Sequence, residues 1–340
     1  MKFGPIRVAD ALGAILAHGV QAAATGAGAS RIYKIAKGTA LTALHLRDLA
    51  ANGVEQVVVA RLGPGDVHEN DAATQLAAAI LAQWTGLSAR PASTGRVNLV
   101  ADHAGIVSVD ADAILAANMV NPGITIATVP RWQKIGAGGL VATIKIIPYA
   151  VSGDFLAGAC TAARGAMCLH GAQINSLSLI ETRIGPDTPP DKGRRAMLAR
   201  AAHFGADLSQ RCVVGHDAAA IAAALVDAPG EILLILTGSA TSDIRDVAPE
   251  GVRAAGGQVD HYGMPVDPGN LLFLGQLAGK PVIGLPGCAR SPALNGADWV
   301  LERMICGIPV TPEDIAAMGV GGLLKEIPSR PMPRRSKKMV

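Results

Sequence analysis

The segment Leu236 to Gly251, LTGSATSDIRDVAPEG, places small residues, hydroxyls, acids and Arg245 directly after the apolar run EILLIL. Asp246 stands where a helix containing Pro249 and Glu250 would begin, which gives its carboxylate two competing uses. It can cap that helix by accepting backbone N–H groups. Alternatively, a phosphate gathered at the helix start would repel it, and a Mg²⁺ ion shared between the carboxylate and phosphate oxygens would resolve the conflict. Thr237, Gly238 and Ser239, at the head of the loop, are small enough for a ligand to approach the backbone.

A second stretch, VIGLPGCARSPALNGADWVLERM, repeats the order of strand, tight loop and helix. Gly287 gives backbone access, Arg290 offers a forked cation, and Ser291 can cap the helix or bond a phosphate oxygen. Other motifs dissolve on inspection. His68 and Glu69 open a string similar to the HExxH zinc motif, but Ala72 occupies the place of its second histidine. No glycine-rich dinucleotide or Walker loop occurs in a strand-to-helix setting, and Cys160 and Cys168 read as small hydrophobes on one helical segment.

The elements that must hold these loops alternate regularly in the second half. Strands are expected at 177–181, 211–214, 231–236 and 281–285, with helices at 192–204, 217–226, 247–256 and 292–305. Repeated βα units imply a parallel sheet covered on both faces, with ligands at the carboxyl ends of its strands. Both loops lie at such ends. In the first half, a helix capped by Thr39 and closed by Gly53 precedes the strand VEQVVVARL, followed by a helix capped by Asn70 or Asp71 whose apolar stripe runs through Leu76, Ile80 and Trp84. Two short strands between Gly95 and Val109 and a helix to Val120 continue the α+β pattern, and the boundary between the halves falls between Val151 and Gln173.

With 340 residues, 50% hydrophobic and 17% charged, the chain can fill two cores. Its net charge of +3 comes from the tail, where Arg330, Arg334, Arg335, Lys337 and Lys338 have no acidic counterpart. The remaining body is close to neutral, which argues against nucleic acid as the main partner. Five cysteines without a CxxC pair fit reduced thiols, and no apolar run reaches the ~20 residues of a membrane span. The expectation is a cytoplasmic protein with neither membrane nor nucleic-acid partners.

The four segments of the second half carry a resemblance. LTGSATSDIRDVAPEG resembles the TGGTG…RDVTPE signature of the Mog/MoaB-type molybdopterin-binding domain, and GLPGCARS its LPG-x-P-K-S loop. ETRIGPDTPPDKG, ending in Asp191, Lys192 and Gly193, and VVGHDAAAIAAAL are similar to two further segments, all in family order. The flanking GAILAHGV, KGTALTALHLRDLAANGVEQVVV and MPVDPGNLLFLGQLAGKPVIGLPG resemble MoeA-type sequences. The implied fold is α/β: a MoeA-like N-terminal α+β region over 1–170, a three-layer parallel-sheet Mog/MoaB-like domain over 171–310, and an extension with the basic tail over 311–340. The chain stops without room for the further C-terminal β domain of MoeA-type proteins.

By the same resemblance, molybdopterin or its adenylylated form is the ligand, surrounded by Asp191, Gly193, Thr237, Gly238, Ser239, Gly287, Arg290 and Ser291. Asp246 would be catalytic and, with Asp217, would hold Mg²⁺. The departures concern charge and flexibility: Ser239, Ala240 and Thr241 stand where the family has Gly-Thr-Gly, His216 replaces the first of two acids, and Asp267 and Asn270 replace two lysines. The leading expectation is assistance with nucleotide or molybdenum transfer to molybdopterin. The alternatives are a non-catalytic cofactor carrier or sensor, or a scaffold that has lost the ligand. A homo-oligomer is expected, with a molybdenum enzyme or another cofactor-biosynthesis protein as partner.

Overall fold

The computed structural model describes residues 1–25, 32–82 and 86–324, so Trp84 and the basic tail from Arg330 lie outside the described residues. Contacts divide the chain into two units, Met1–His103 with Val107–Leu169, and Ala104–Ile106 with His170 onward.

In the first unit, strand Gln56–Arg61 lies between Lys2–Arg7 and Ile15–Leu16, antiparallel to both. A separate four-stranded sheet of Ile124–Thr128, Leu140–Ile146, Arg96–Ala101 and Leu87–Ala89 shares its core with helices Glu69–Ile80, Ala111–Val120 and Gly153–Ala162. Helix Ala43–Ala51 starts later than Thr39: Thr42 and His45 satisfy each other's backbone N–H groups in a reciprocal cap. Glu69–Ile80 is capped by His68 rather than by Asn70 or Asp71. The Asn70 carboxamide oxygen instead accepts the Gly95 N–H at 2.8 Å. Cys160 lies on Gly153–Ala162, whereas Cys168 belongs to strand Met167–His170 and not to that helix.

The second unit contains strands β1 (Ser176–Arg183), β2 (Asp207–Leu208), β3 (Cys212–Gly215), β4 (Ile232–Leu236), β5 (Gln258–Tyr262), β6 (Phe273–Leu277) and β7 (Lys280–Gly284). Its helices are α1 (Lys192–His203), α2 (Ala218–Asp227), α3 (Val247–Ala254), α4 (Gly296–Ile305) and α5 (Pro312–Ala317). β1 pairs in parallel with β2 near its start and with β3 near its end, so β2 and β3 form one interrupted edge. β4 is parallel to β1 and β7 to β4, while β6 and β5 add an antiparallel border. β4 is buried at every position, as a central strand of a sheet covered on both faces must be.

The covering follows from strand alternation. Leu233 and Ile235 pack with Ile221 and Leu225 of α2 and with Ala248 and Val252 of α3. Leu236, pointing the other way, faces α1, where a Cβ added to Gly193 would lie 2.7 Å from its Cδ2. Arg200 of α1 is ion-paired with Asp298 of α4, so these two helices share that side and the unit has three layers. Sequence alternation missed β5 and β6. The helix expected from 292 begins at Gly296, because Asn295 and Asp298 form the reciprocal cap and only a short 3₁₀ turn, Gly287–Arg290, follows β7.

Candidate functional site

After β1 the chain passes through α1 to the outer edge of the sheet, whereas after β4 it passes through α3 to the opposite border. The crevice between the carboxyl ends of β1 and β4 is therefore a topological switch point, where the loops part and leave room for a ligand.

One hydroxyl fastens two loops to the end of β1 there. Thr182, fully buried near the end of β1, accepts the Gly238 N–H at 2.7 Å through Oγ1, and the same atom meets Nδ1 of His216 at 2.9 Å. The His216 backbone N–H donates to the Arg183 carbonyl at 3.1 Å. Because the Thr182 hydroxyl needs an acceptor for its own proton, and an orphaned buried donor costs about 1–3 kcal/mol, the hydrogen-bond network assigns Nδ1 as acceptor and Nε2 as the protonated nitrogen. The imidazole thus presents an N–H donor. With Arg183, Ile184, Gly185 and Gly215 it lines an open depression of about 410 Å³.

Asp246, in the loop after β4, interacts electrostatically with His216. Its Oδ2 accepts the Ser242 N–H at 2.9 Å, and its Oδ1 accepts the Val247 N–H at 2.7 Å at the start of α3. The Ser242 backbone N–H, followed by that of Val247, the neighbouring His216 and the Ser242 hydroxyl, holds the carboxyl below the usual range despite opposing desolvation. A depressed folded pKa means that the charged carboxylate stabilises the fold above its unfolded pKa, and that this contribution is lost as pH falls through the folded value. Asp246→Asn, which sets an NH₂ against one of these donors, is expected to cost about 1 kcal/mol at pH 7. In urea unfolding the penalty should shrink below pH ~4. An equal penalty at pH 7 and pH 3 would contradict the charge-based part of this account.

On the α1 side the organising group is Glu181, almost completely buried near the end of β1. Arg211 grips it with Nε–Oε2 at 2.7 Å and Nη2–Oε1 at 3.2 Å, and also donates to the Pro189 carbonyl at 2.6 Å. The pair therefore draws the loop before α1 onto the sheet. Gly193 lets α1 approach β4, since an added Cβ would be 2.7 Å from Leu236 and 3.3 Å from Cγ of Arg290. Arg290 donates through Nη2 to the Thr237 carbonyl, joining the loops after β4 and β7. Burial lowers its pKa, while the charge of Glu181 opposes that shift.

With this crevice in place, the comparisons have a structural counterpart. Residues 176–304 match the family model described as "Probable molybdopterin binding domain". The match lies within the second unit, and the matched segment takes in β1 to β7 and the loops after β1, β3, β4 and β7. No curated protein matches the chain significantly. Among solved structures, the chain is similar to a molybdopterin biosynthesis MoeA protein from Pyrococcus horikosii, with 13% identity, a TM-score of 0.29, and coverage of 92% of this chain and 75% of that one. A molybdenum cofactor biosynthesis protein from Pyrococcus furiosus is similar at 12% identity and a TM-score of 0.24, covering 91% and 66% respectively.

Within the matched segment the sequence-selected residues fall into distinct positions. Thr237, Gly238, Gly193 and Arg290 form connected parts of the wall between α1 and the loops after β4 and β7. Ser239 and Gly287 are exposed beside it. Asp191 is half-exposed at the start of α1, within 3.8 Å of Arg195 and 3.9 Å of Arg211. Ser291 does not cap α4: its hydroxyl accepts the Ala293 N–H at 3.2 Å and its carbonyl accepts Arg200 at 3.0 Å. Asp267 and Asn270 are engaged elsewhere, Asp267 through backbone bonds to Gly322 and Leu324, and Asn270 through the Met264 carbonyl.

The two carboxylates assigned to Mg²⁺ by the resemblance are both engaged as helix caps. Asp217 caps α2 by accepting the Ala220 N–H at 2.8 Å, Asp246 accepts N–H groups on both oxygens, and the described residues form no cluster of three His, Cys, Asp or Glu side chains suited to a metal. Sequence reasoning missed Thr182, Glu181 and Arg211. The available signal was the polar triplet Glu181, Thr182 and Arg183 at the end of the strand, after the apolar pair Leu179 and Ile180.

Proposed function

We propose that the second unit binds molybdopterin, free or adenylylated, in the crevice between the carboxyl ends of β1 and β4, and holds it as a carrier within molybdenum-cofactor biosynthesis. The observation that carries this reading is the engagement of Asp246 and Asp217 as helix caps beside a crevice whose other groups are small residues and hydrogen-bond donors. Such a surface suits recognition. Asp267 and Asn270, at the positions where MoeA-type sequences have lysines, add no cation to gather molybdate.

The transfer reading requires Asp246 to act on a metal or nucleotide in addition to capping α3. A side-by-side assay separates the two readings. Purified full-length protein is expected to bind molybdopterin in native mass spectrometry, yet to insert molybdate into the adenylylated form far more slowly than a MoeA-type enzyme, and to transfer no adenylyl group from ATP. Robust turnover in either assay would overturn the carrier reading, and failure to bind pterin would overturn the binding role itself.

A further inference from the structure

His216 gives the crevice a chemical character that the two capping aspartates do not. Its Nδ1 is engaged by the buried Thr182 hydroxyl, its backbone N–H is tied to Arg183, and its half-buried ring lines the depression between the loops after β1 and β3. This fixes the imidazole from two sides and leaves Nε2–H as its outward donor. Arg183, the cation lining the same depression, is committed to the loop, with Nη1 donating to the carbonyls of Gly185 at 3.0 Å and Pro186 at 2.9 Å. Asp246 has both oxygens engaged, by Ser242 of its own loop and by Val247 at the start of α3. A carboxylate at position 216 would add negative charge and require a bridging cation; an imidazole donor does not.

Resting on the pterin-binding reading above, we propose that His216 Nε2–H binds a phosphate oxygen of the pterin, so that this crevice takes the phosphorylated ligand without a divalent metal ion. Thr182 is then a positioning residue, acting through the orientation and tautomer of the ring.

The test titrates molybdopterin into full-length protein containing EDTA, and repeats the titration with added Mg²⁺. Wild type is expected to bind equally well in both. His216→Asp should bind about tenfold more weakly in EDTA and recover with Mg²⁺, whereas His216→Leu should show a similar loss without recovery. Thr182→Val should weaken binding in EDTA and remove the fixed Nε2–H signature of His216 from long-range ¹H–¹⁵N spectra. Loss of wild-type binding in EDTA, or unchanged metal-free binding by folded His216→Leu, would overturn the proposal. If wild type binds no pterin under either condition, the pterin-binding reading fails, and titration with inorganic phosphate decides the role of His216: a shift of its Nε2–H resonance supports phosphate recognition and an unmoved resonance overturns it.

Discussion

Glu181→Ala is expected to destabilise the second unit by about 2 kcal/mol, less than the cost of breaking a fully buried ion pair because Arg211 keeps access to solvent. Glu181 is almost fully buried, and its two oxygens accept both arms of the Arg211 guanidinium. Removing the carboxylate leaves Arg211 beside a cavity and releases the contact that, together with the Pro189 carbonyl, holds the loop before α1. It also removes the negative charge that offsets the desolvation of Arg290. Glu181→Gln should cost less, because one hydrogen-bond acceptor and most of the volume remain. Denaturant unfolding monitored by hydrogen exchange in β1 and α1 measures both variants, and a loss below about 1 kcal/mol for the alanine variant would show that the pair contributes little net stability.

The second large effect is expected at Gly284, the last residue of β7. An added Cβ would lie 1.9 Å from Cε1 and 2.1 Å from Cδ1 of Phe273, its partner across the antiparallel β6–β7 ladder. Phe273 is fully buried, so its ring has no free space into which it can retreat. Gly284→Val should therefore cost about 3 kcal/mol through overpacking. It should also weaken pterin binding, because Gly284 directly precedes the loop that delivers Arg290 to the Thr237 carbonyl. A valine variant with wild-type unfolding and wild-type affinity would show that this close packing is dispensable.

The run EILLIL announced the central strand because a strand covered on both faces needs apolar side chains on each. Its following loop and the Gly287–Ser291 stretch lie at one edge of the sheet, as their order after strands implied, and Arg290 joins the two loops. The start of α4 was less legible: Ser291 is a reasonable cap in isolation, but Asn295 and Asp298 form a reciprocal one, and Asp298 also binds Arg200. The border of β5 and β6 was missed because glycines and prolines interrupt its alternation, while the register depends on partners far away in sequence. Long-range registry hid the polar centre as well. Thr182 meets His216 and Gly238, and Glu181 meets Arg211, only after β1 is set beside β3 and β4. The substitution of histidine for the first acid of the loop after β3 was visible in the sequence, but its anchor was not.

The central claim places the pterin at the switch point of the second unit. A crystal structure of the full-length chain with molybdopterin tests it most directly. The predicted result is pterin density between the carboxyl ends of β1 and β4, lying against Thr237 and Gly238, with a phosphate oxygen within hydrogen-bond distance of His216 Nε2. Density only at another site, such as the apolar cavity of about 670 Å³ lined by Ile180, Cys212, Ala220 and Ala224, would contradict that placement.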